Sequence, residues 1–390
     1  MTNQLRLAEG LRVQSKLPEV GTTIFTVMSA LAQECGAINL SQGFPDYPIS
    51  KELASMVTEA MQSGYNQYAP MAGLLALREA LAEKYCKLYG RSYDPGEEIT
   101  IAAGATQAIY TAVAALVTVG DEVIVFEPAY DSYAPAVRLQ GAVVVRQQLR
   151  ARDFAIDWPA LENAITPRTR LIILNSPNNP GTSILSSADL DRLEALLRAR
   201  DIVLLSDEVY EHMVYDGAEH QSLARREALA ARSLIVASFG KTFHATGWKI
   251  GYIVAPRELM QEFRRVHQFN VFCVNTPMQH ALARYLKEAA HYEGLAAFFQ
   301  ERRDALFQGL AGTRFEPRES RGSYFLLASF ARISDEPDRE FSIRLTRDFG
   351  VATIPLSAFY AAGTDQKLLR FCFAKRKETI AGALERLARV

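Results

Sequence analysis

Between residues 98 and 255 the chain repeats one pattern: a short apolar run rich in Val and Ile, then small or polar residues, then a helical stretch. The runs fall at 99–102, 122–126, 143–146, 171–175, 202–206, 234–237 and 252–255. Runs that are apolar at nearly every position, without polar alternation, need cover on both faces. Their alternation with helical segments predicts an α/β fold in which a mostly parallel seven-stranded sheet lies between helices. Ligands of such sheets bind beyond the carboxyl ends of the strands, so the residues just after each run carry the functional information.

Those residues form a consistent set. Gly104-Ala105-Thr106-Gln107 opens a helix with small residues, which offers free N–H groups and a positive dipole end to a phosphate. Tyr130, after Glu127-Pro128-Ala129, places a ring where a flat heterocycle can stack. Asn175-Ser176-Pro177-Asn178-Asn179-Pro180-Gly181 holds amides in a Pro-rigidified loop. The fifth run ends in Ser206-Asp207-Glu208-Val209-Tyr210, and the sixth leads to Ser238 and Lys241, with a second cation at Lys249. Singly, each has an ordinary reading. A lysine is most often a solvated surface charge; Asp207 suits a helix cap or an ion pair; and Asp207, Glu208, Glu211 and His212 carry metal-ligand chemistry, though no second cluster supports a metal. Together they supply what a pyridine aldehyde phosphate needs. A lysine in a dry site loses its proton and attacks a carbonyl readily, and a buried carboxylate suits a protonated pyridine nitrogen.

The remainder places these groups in a larger frame. Residues 1–21 read as an extended arm, followed by a helix from Thr22 with Ile24, Val27, Met28, Leu31 and Ala32 on one stripe, a short strand at 37–40, and helices at 51–63 and 73–89. Beyond 255 the pattern predicts helices at 256–269, 276–288, 291–312, 337–349 and 377–389, and strands at 324–327, 351–354 and 368–373, the makings of a smaller α/β domain. A chain of 390 residues is long for one domain. The expected division is 1–45 as arm and part of the small domain, 46–285 as the large ligand-binding domain, and 286–390 as the small C-terminal domain. Arg370 sits inside the apolar strand Leu369-Arg370-Phe371-Cys372-Phe373, where a guanidinium needs a carboxylate, from a core acid or from a substrate. A net charge of −1 gives no reason to expect nucleic acid or an acidic membrane surface. Cys35, Cys86, Cys273 and Cys372 lie among apolar residues without metal-type spacing and read as reduced core thiols. With no signal-type apolar segment at 1–21 and no membrane-spanning run, the expectation is a soluble cytoplasmic protein.

The string Ser238-Phe239-Gly240-Lys241-Thr242-Phe243-His244-Ala245-Thr246-Gly247-Trp248-Lys249-Ile250-Gly251-Tyr252 resembles the lysine signature of class I pyridoxal-phosphate aminotransferases, and the likeness extends over nearly the whole chain. The resemblance implies a fold type I enzyme that binds pyridoxal 5′-phosphate, with Lys241 as the Schiff-base lysine and as general base and acid. It implies Ala105, Thr106, Ser238 and Lys249 at the phosphate, Tyr130 stacked on the ring, Asn179 and Tyr210 on the ring hydroxyl, and Asp207 on the pyridine nitrogen. It also implies Gly43, Asn175 and Arg370 at the substrate carboxylate. Asn66-Gln67-Tyr68 resembles the loop whose tyrosine reaches the phosphate of a neighbouring subunit, so a homodimer with shared sites is expected. Phe272 matches an aromatic contributed to the partner's pocket, with a buried interface aromatic as the plain alternative. One departure is visible: Asn179-Pro180-Gly181-Thr182 stands where the family has N-P-T-G or N-P-S-G.

No counterpart to a second arginine for dicarboxylic side chains is evident, and Phe25, Phe272 and Tyr68 suggest an apolar or sulfur-friendly pocket. Gln42-Gly43-Phe44-Pro45-Asp46 and Asp207-Glu208-Val209-Tyr210-Glu211-His212 resemble bacterial methionine aminotransferases and the related glutamine and kynurenine aminotransferases. Methionine is therefore the expected amino donor, with aromatic amino acids and glutamine as lesser ones. The alternatives are a kynurenine or glutamine preference, or a carbon–sulfur β-lyase using the same lysine.

Overall fold

A computed structural model describes residues 7, 8 and 10–390. Of the expected arm, residues 1–6 and 9 lie outside the described residues; 10–21 carry no helix or strand. A two-residue strand, β1 (Ile38–Asn39), precedes β2 (Ile99–Ala102), β3 (Glu122–Glu127), β4 (Val143–Gln148), β5 (Thr169–Asn175), β6 (Val203–Asp207), β7 (Ser233–Ser238) and β8 (Gly251–Val254). Strands β2 to β8 form one seven-stranded sheet in the order β2-β8-β7-β6-β5-β3-β4. Its pairings are parallel except around β8, which runs antiparallel to both β2 and β7.

The apolar runs of β3, β5, β6, β7 and β8 become inner strands because both of their faces are covered, whereas β2 and β4 form the edges, β4 with Val143 exposed. Val123, Val125, Leu171, Ile173, Val203 and Leu205 pack into one layer, whereas Ile124, Ile172, Leu174, Leu204 and Ile235 pack into the other. A slip of one residue would exchange the two layers, which fixes the register. Burying each such side chain is worth about 1.5–3 kcal/mol.

The C-terminal part adds β9 (Glu316–Pro317), β10 (Phe325–Ser329), β11 (Val351–Ala352), β12 (Ile354–Pro355) and β13 (Leu368–Cys372). The antiparallel sheet β12-β13-β10-β9 carries Arg370 at its centre, paired in register with Leu327 and Ile354. Strand β1 pairs in parallel with β11, and the amide of Cys372 donates to the carbonyl of Leu40 at 2.8 Å, so residues 38–40 are tied to the C-terminal sheet.

Three expectations are corrected. The strand expected at 351–354 divides between two sheets at Thr353, whose side chain bonds Ser342 Oγ at 3.2 Å. The helix expected at 291–312 breaks at Gly294 into Ala290–Glu293 and Leu295–Ala311. The cysteines are not all core thiols: Cys35, at a helix C-cap, and Cys86 are exposed, Cys273 is half-buried, and only Cys372 is buried, because local apolar neighbours do not decide which way a side chain points. Among the described residues no helix is long and apolar enough to cross a membrane.

Candidate active site

The carboxyl ends of β5, β6 and β7 and the start of the helix Ala105–Leu116 open on one cavity of about 410 Å³. Phe25, Gly43, Ala105, Thr106, Tyr130, Asn175, Asn179, Asp207, Tyr210, Ser238, Lys241, Lys249 and Arg370 all line it. Lys241 after β7 meets Gly43 across 198 positions and Arg370 of the C-terminal sheet meets Ser41 across 329, so these segments converge through tertiary packing. Tyr68 and Phe272 do not line it: they pack edge to face on each other at 5.2 Å, 81% and 49% exposed.

One end of the cavity is built for an anion. Gly104 adopts φ 81 and ψ 164, and no side chain caps the helix that follows, so the first-turn N–H groups of Ala105 and Thr106 face the cavity. A Cβ on Gly104 would come within 3.5 Å of Lys249 Nζ. Lys249, itself in the left-handed region at φ 54, and Ser238 complete a basic and hydroxyl wall. Tyr130 stands over this region with its hydroxyl 3.5 Å from Thr106 Oγ1.

Asp207 is buried beneath it. Its Oδ2 accepts from the Tyr133 hydroxyl at 2.6 Å and its Oδ1 from the amide of Val209 at 3.3 Å. Burial pushes the carboxyl up to about 6, against the lowering effect of Tyr133, the Val209 amide and Lys241. Among the described residues no cation stands within ion-pair distance of it, which makes it a partner for a positively charged group entering the cavity. The neighbouring acids do not join it. Glu208 is bonded to His220, Ser206 and the amide of Leu223, and Glu211 to Lys84 at 2.5 Å, Tyr89 at 2.6 Å and Tyr252 at 2.7 Å. These two buried clusters anchor residues 207–211 from either side, fixing Asp207 and Tyr210 between them. Tyr133 was not singled out from the sequence, where it looks like one more aromatic at a helix start.

Lys241 follows β7 on the short helix Phe239–Thr242. Burial lowers its amine to about 8, with Lys249 and Arg370 lowering it further while Cys372 and Asp207 oppose. The amine meets the hydroxyl of Tyr324 at 2.8 Å and the carbonyl of Gly43 at 3.3 Å, and has no carboxylate within ion-pair distance among the described residues.

Arg370 is 1% exposed. Nη1 donates to Asn179 Oδ1 at 2.5 Å and Nη2 to the carbonyl of Ser41 at 2.9 Å, while Nε is buried without a partner. The guanidinium lies 3.8 Å from the ring centre of Phe325, 5.0 Å from that of Phe359 and 5.3 Å from that of Phe25. Burial lowers it to about 10. Of its two sequence-level readings, pairing with a core acid has no support: no carboxylate lies within 4.0 Å among the described residues. Asn175 is bound within the protein, its Nδ2 donating to the carbonyl of Asp207 at 3.0 Å and its Oδ1 accepting from the amide of Asn179 at 2.8 Å.

Residues 36–387 match the family described as aminotransferase class I and II. The chain is 48% identical to methionine aminotransferase of Escherichia coli over 96% of this chain and 97% of that protein. It is 40% identical to a probable N-succinyldiaminopimelate aminotransferase of Mycobacterium tuberculosis, again over 96% and 97%. A solved Escherichia coli structure with a reported methionine aminotransferase function superposes with a TM-score of 0.96 at 48% identity, covering 97% of this chain and all of the other.

Proposed function

The chain belongs to the class I and II aminotransferase family and uses pyridoxal 5′-phosphate, and on that premise we propose that it moves the amino group of L-methionine to a 2-oxo acid in two half-reactions. The observation that carries the reading is one cavity containing both a half-buried amine, Lys241, and a buried guanidinium, Arg370, neither with an acidic partner among the described residues.

The donor set fits the cofactor. The uncapped helix start at Ala105 and Thr106, with Ser238 and Lys249, suits its phosphate, and the desolvated carboxylate of Asp207 suits a protonated ring nitrogen. When bound, pyridoxal 5′-phosphate supplies a carbonyl that condenses with an amine and a protonated ring that withdraws electrons from Cα. Tyr130 would cover the ring, and Asn179 and Tyr210, which line the same cavity, would hold its hydroxyl. Tyr133 holds Asp207 in one orientation. Arg370 would receive the substrate α-carboxylate as a fork, its orphan Nε gaining an acceptor, with Gly43 on the same cavity wall. With its amine lowered to about 8, Lys241 is partly neutral near physiological pH and would take the substrate's Cα proton as a base and, once charged, give a proton back as an acid.

The substrate choice draws on the cavity wall. Phe25 and Phe325 make it apolar beside Arg370, Ile109 and Val209 add apolar wall elsewhere, and no second arginine from this chain's described residues lines it. A side-chain carboxylate would be desolvated there without a cation, whereas a thioether would not. The similarity to methionine aminotransferase supports the same choice. The exposed pair Tyr68 and Phe272 supports a homodimer in which each copy completes the other's site.

The test is the visible absorbance of the loaded protein as methionine is added without a 2-oxo acid, followed by a donor panel. Bleaching that reverses when a 2-oxo acid is supplied is the expected result. A kcat/KM for aspartate above that for methionine would refute the substrate, and no spectral response to any amino acid would refute the transamination.

A further inference from the structure

Tyr324 immediately precedes β10, and nothing in its local sequence separates it from a core aromatic. Its hydroxyl nevertheless forms a closed cluster with Lys241 and Gly43. It makes a short hydrogen bond to the Gly43 carbonyl, lies 2.8 Å from Lys241 Nζ, and Nζ also reaches the Gly43 carbonyl at 3.3 Å. The hydrogens can be assigned from valence. A phenol has one hydrogen, and the carbonyl can only accept, so Tyr324 donates to Gly43 and accepts from Lys241. A neutral amine has two N–H bonds, and both are then placed, on the Tyr324 hydroxyl and the Gly43 carbonyl. The lone pair of the amine is left unshared.

The cluster is held rigidly. The Tyr324 ring packs against Phe325 at 4.9 Å, Tyr210 at 5.0 Å and Phe299 at 5.9 Å. Position 43 admits no side chain, since a Cβ would lie 2.7 Å from Phe325 Cζ and 3.3 Å from Tyr324 Cε2. Burial, then the neighbouring Tyr210, raises the Tyr324 phenol well above its ordinary range, so it keeps its proton.

We propose that Tyr324 is a further catalytic residue: with the carbonyl of Gly43 it holds the freed amine of Lys241 so that the lone pair is available for the substrate's Cα proton. This rests on the assignment of Lys241 as the base. Because Gly43 and Tyr324 both belong to segments tied to the C-terminal sheet, that part of the molecule sets the amine's position on the main sheet.

The experiment compares the wild type, Tyr324→Phe and a protein carrying 3-fluorotyrosine at 324, whose hydroxyl is a weaker acceptor in nearly the same volume. In Tyr324→Phe the methionine half-reaction should slow about tenfold, with KM within twofold and a larger isotope effect from Cα-deuterated methionine. In the cofactor-free protein, labelling of Lys241 by trinitrobenzenesulfonate, mapped by mass, should reach its midpoint about half to one pH unit lower. The charged amine loses a stronger hydrogen bond than the neutral one, while the other groups facing it, Lys249, Arg370, Asp207, Tyr210 and Cys372, are unchanged. The fluorinated protein should shift the same way by less, and it decides the matter if Tyr324→Phe folds poorly. A wild-type isotope effect and labelling midpoint in both proteins would overturn the proposal, even if turnover fell. Turnover surviving in Lys241→Ala would instead overturn the assignment of the base itself.

Discussion

Asp207→Asn separates what the carboxylate does for the fold from what it does for the reaction. In the cofactor-free protein its carboxyl is raised from an ordinary 3.8 to about 6, chiefly by burial. Folded protein therefore binds more protons than unfolded protein between those values. The stability associated with the protonated form is complete below pH 3.8 and is lost as pH rises through 6. The loss reaches about 3 kcal/mol above pH 7. Asparagine removes the titration yet keeps both hydrogen bonds, accepting from Val209 and donating to the Tyr133 hydroxyl. Urea unfolding of cofactor-free wild type and variant, followed by circular dichroism, should show the variant gaining on the wild type by about 1.3 kcal/mol between pH 5 and pH 7. Its turnover, once loaded, should fall at least about 10²-fold, because the ring loses its anionic partner. A gap that does not change with pH, or a variant that is less stable at pH 7, would refute the claim that Asp207 is held at a stability cost.

The remaining predictions concern the other groups around the cavity. Lys241→Ala should fold normally by circular dichroism and lose turnover by about 10²-fold or more, measured with methionine and a 2-oxo acid. Arg370→Lys keeps a cation but not the fork, so kcat/KM for the amino acid should fall about 10- to 100-fold, with cofactor absorbance unchanged. Gly104→Ala places a side chain at φ 81 against Lys249, which should cost about 1–3 kcal/mol of stability in a thermal melt and weaken retention of phosphate-bearing cofactor on dialysis.

The seven strands and the residues that end them were legible in the sequence because they depend on local pattern. An unbroken apolar run such as Val123-Ile124-Val125-Phe126 can only be covered on both faces, and a parallel sheet then presents Asp207, Ser238 and Lys241 at one edge. The signature around Lys241 likewise carried the family, and with it the cofactor. Which side chains meet across the cavity was decided by tertiary structure alone. Tyr324 reaches Lys241 across 83 residues, Tyr133 reaches Asp207 across 74, and Arg370 reaches Asn179 across 191. A tyrosine in an apolar stretch has the same local pattern whether its hydroxyl ends in the core or on a reacting amine. The absence of an acid beside Arg370 is equally invisible in sequence, because any distant carboxylate could have been folded against it.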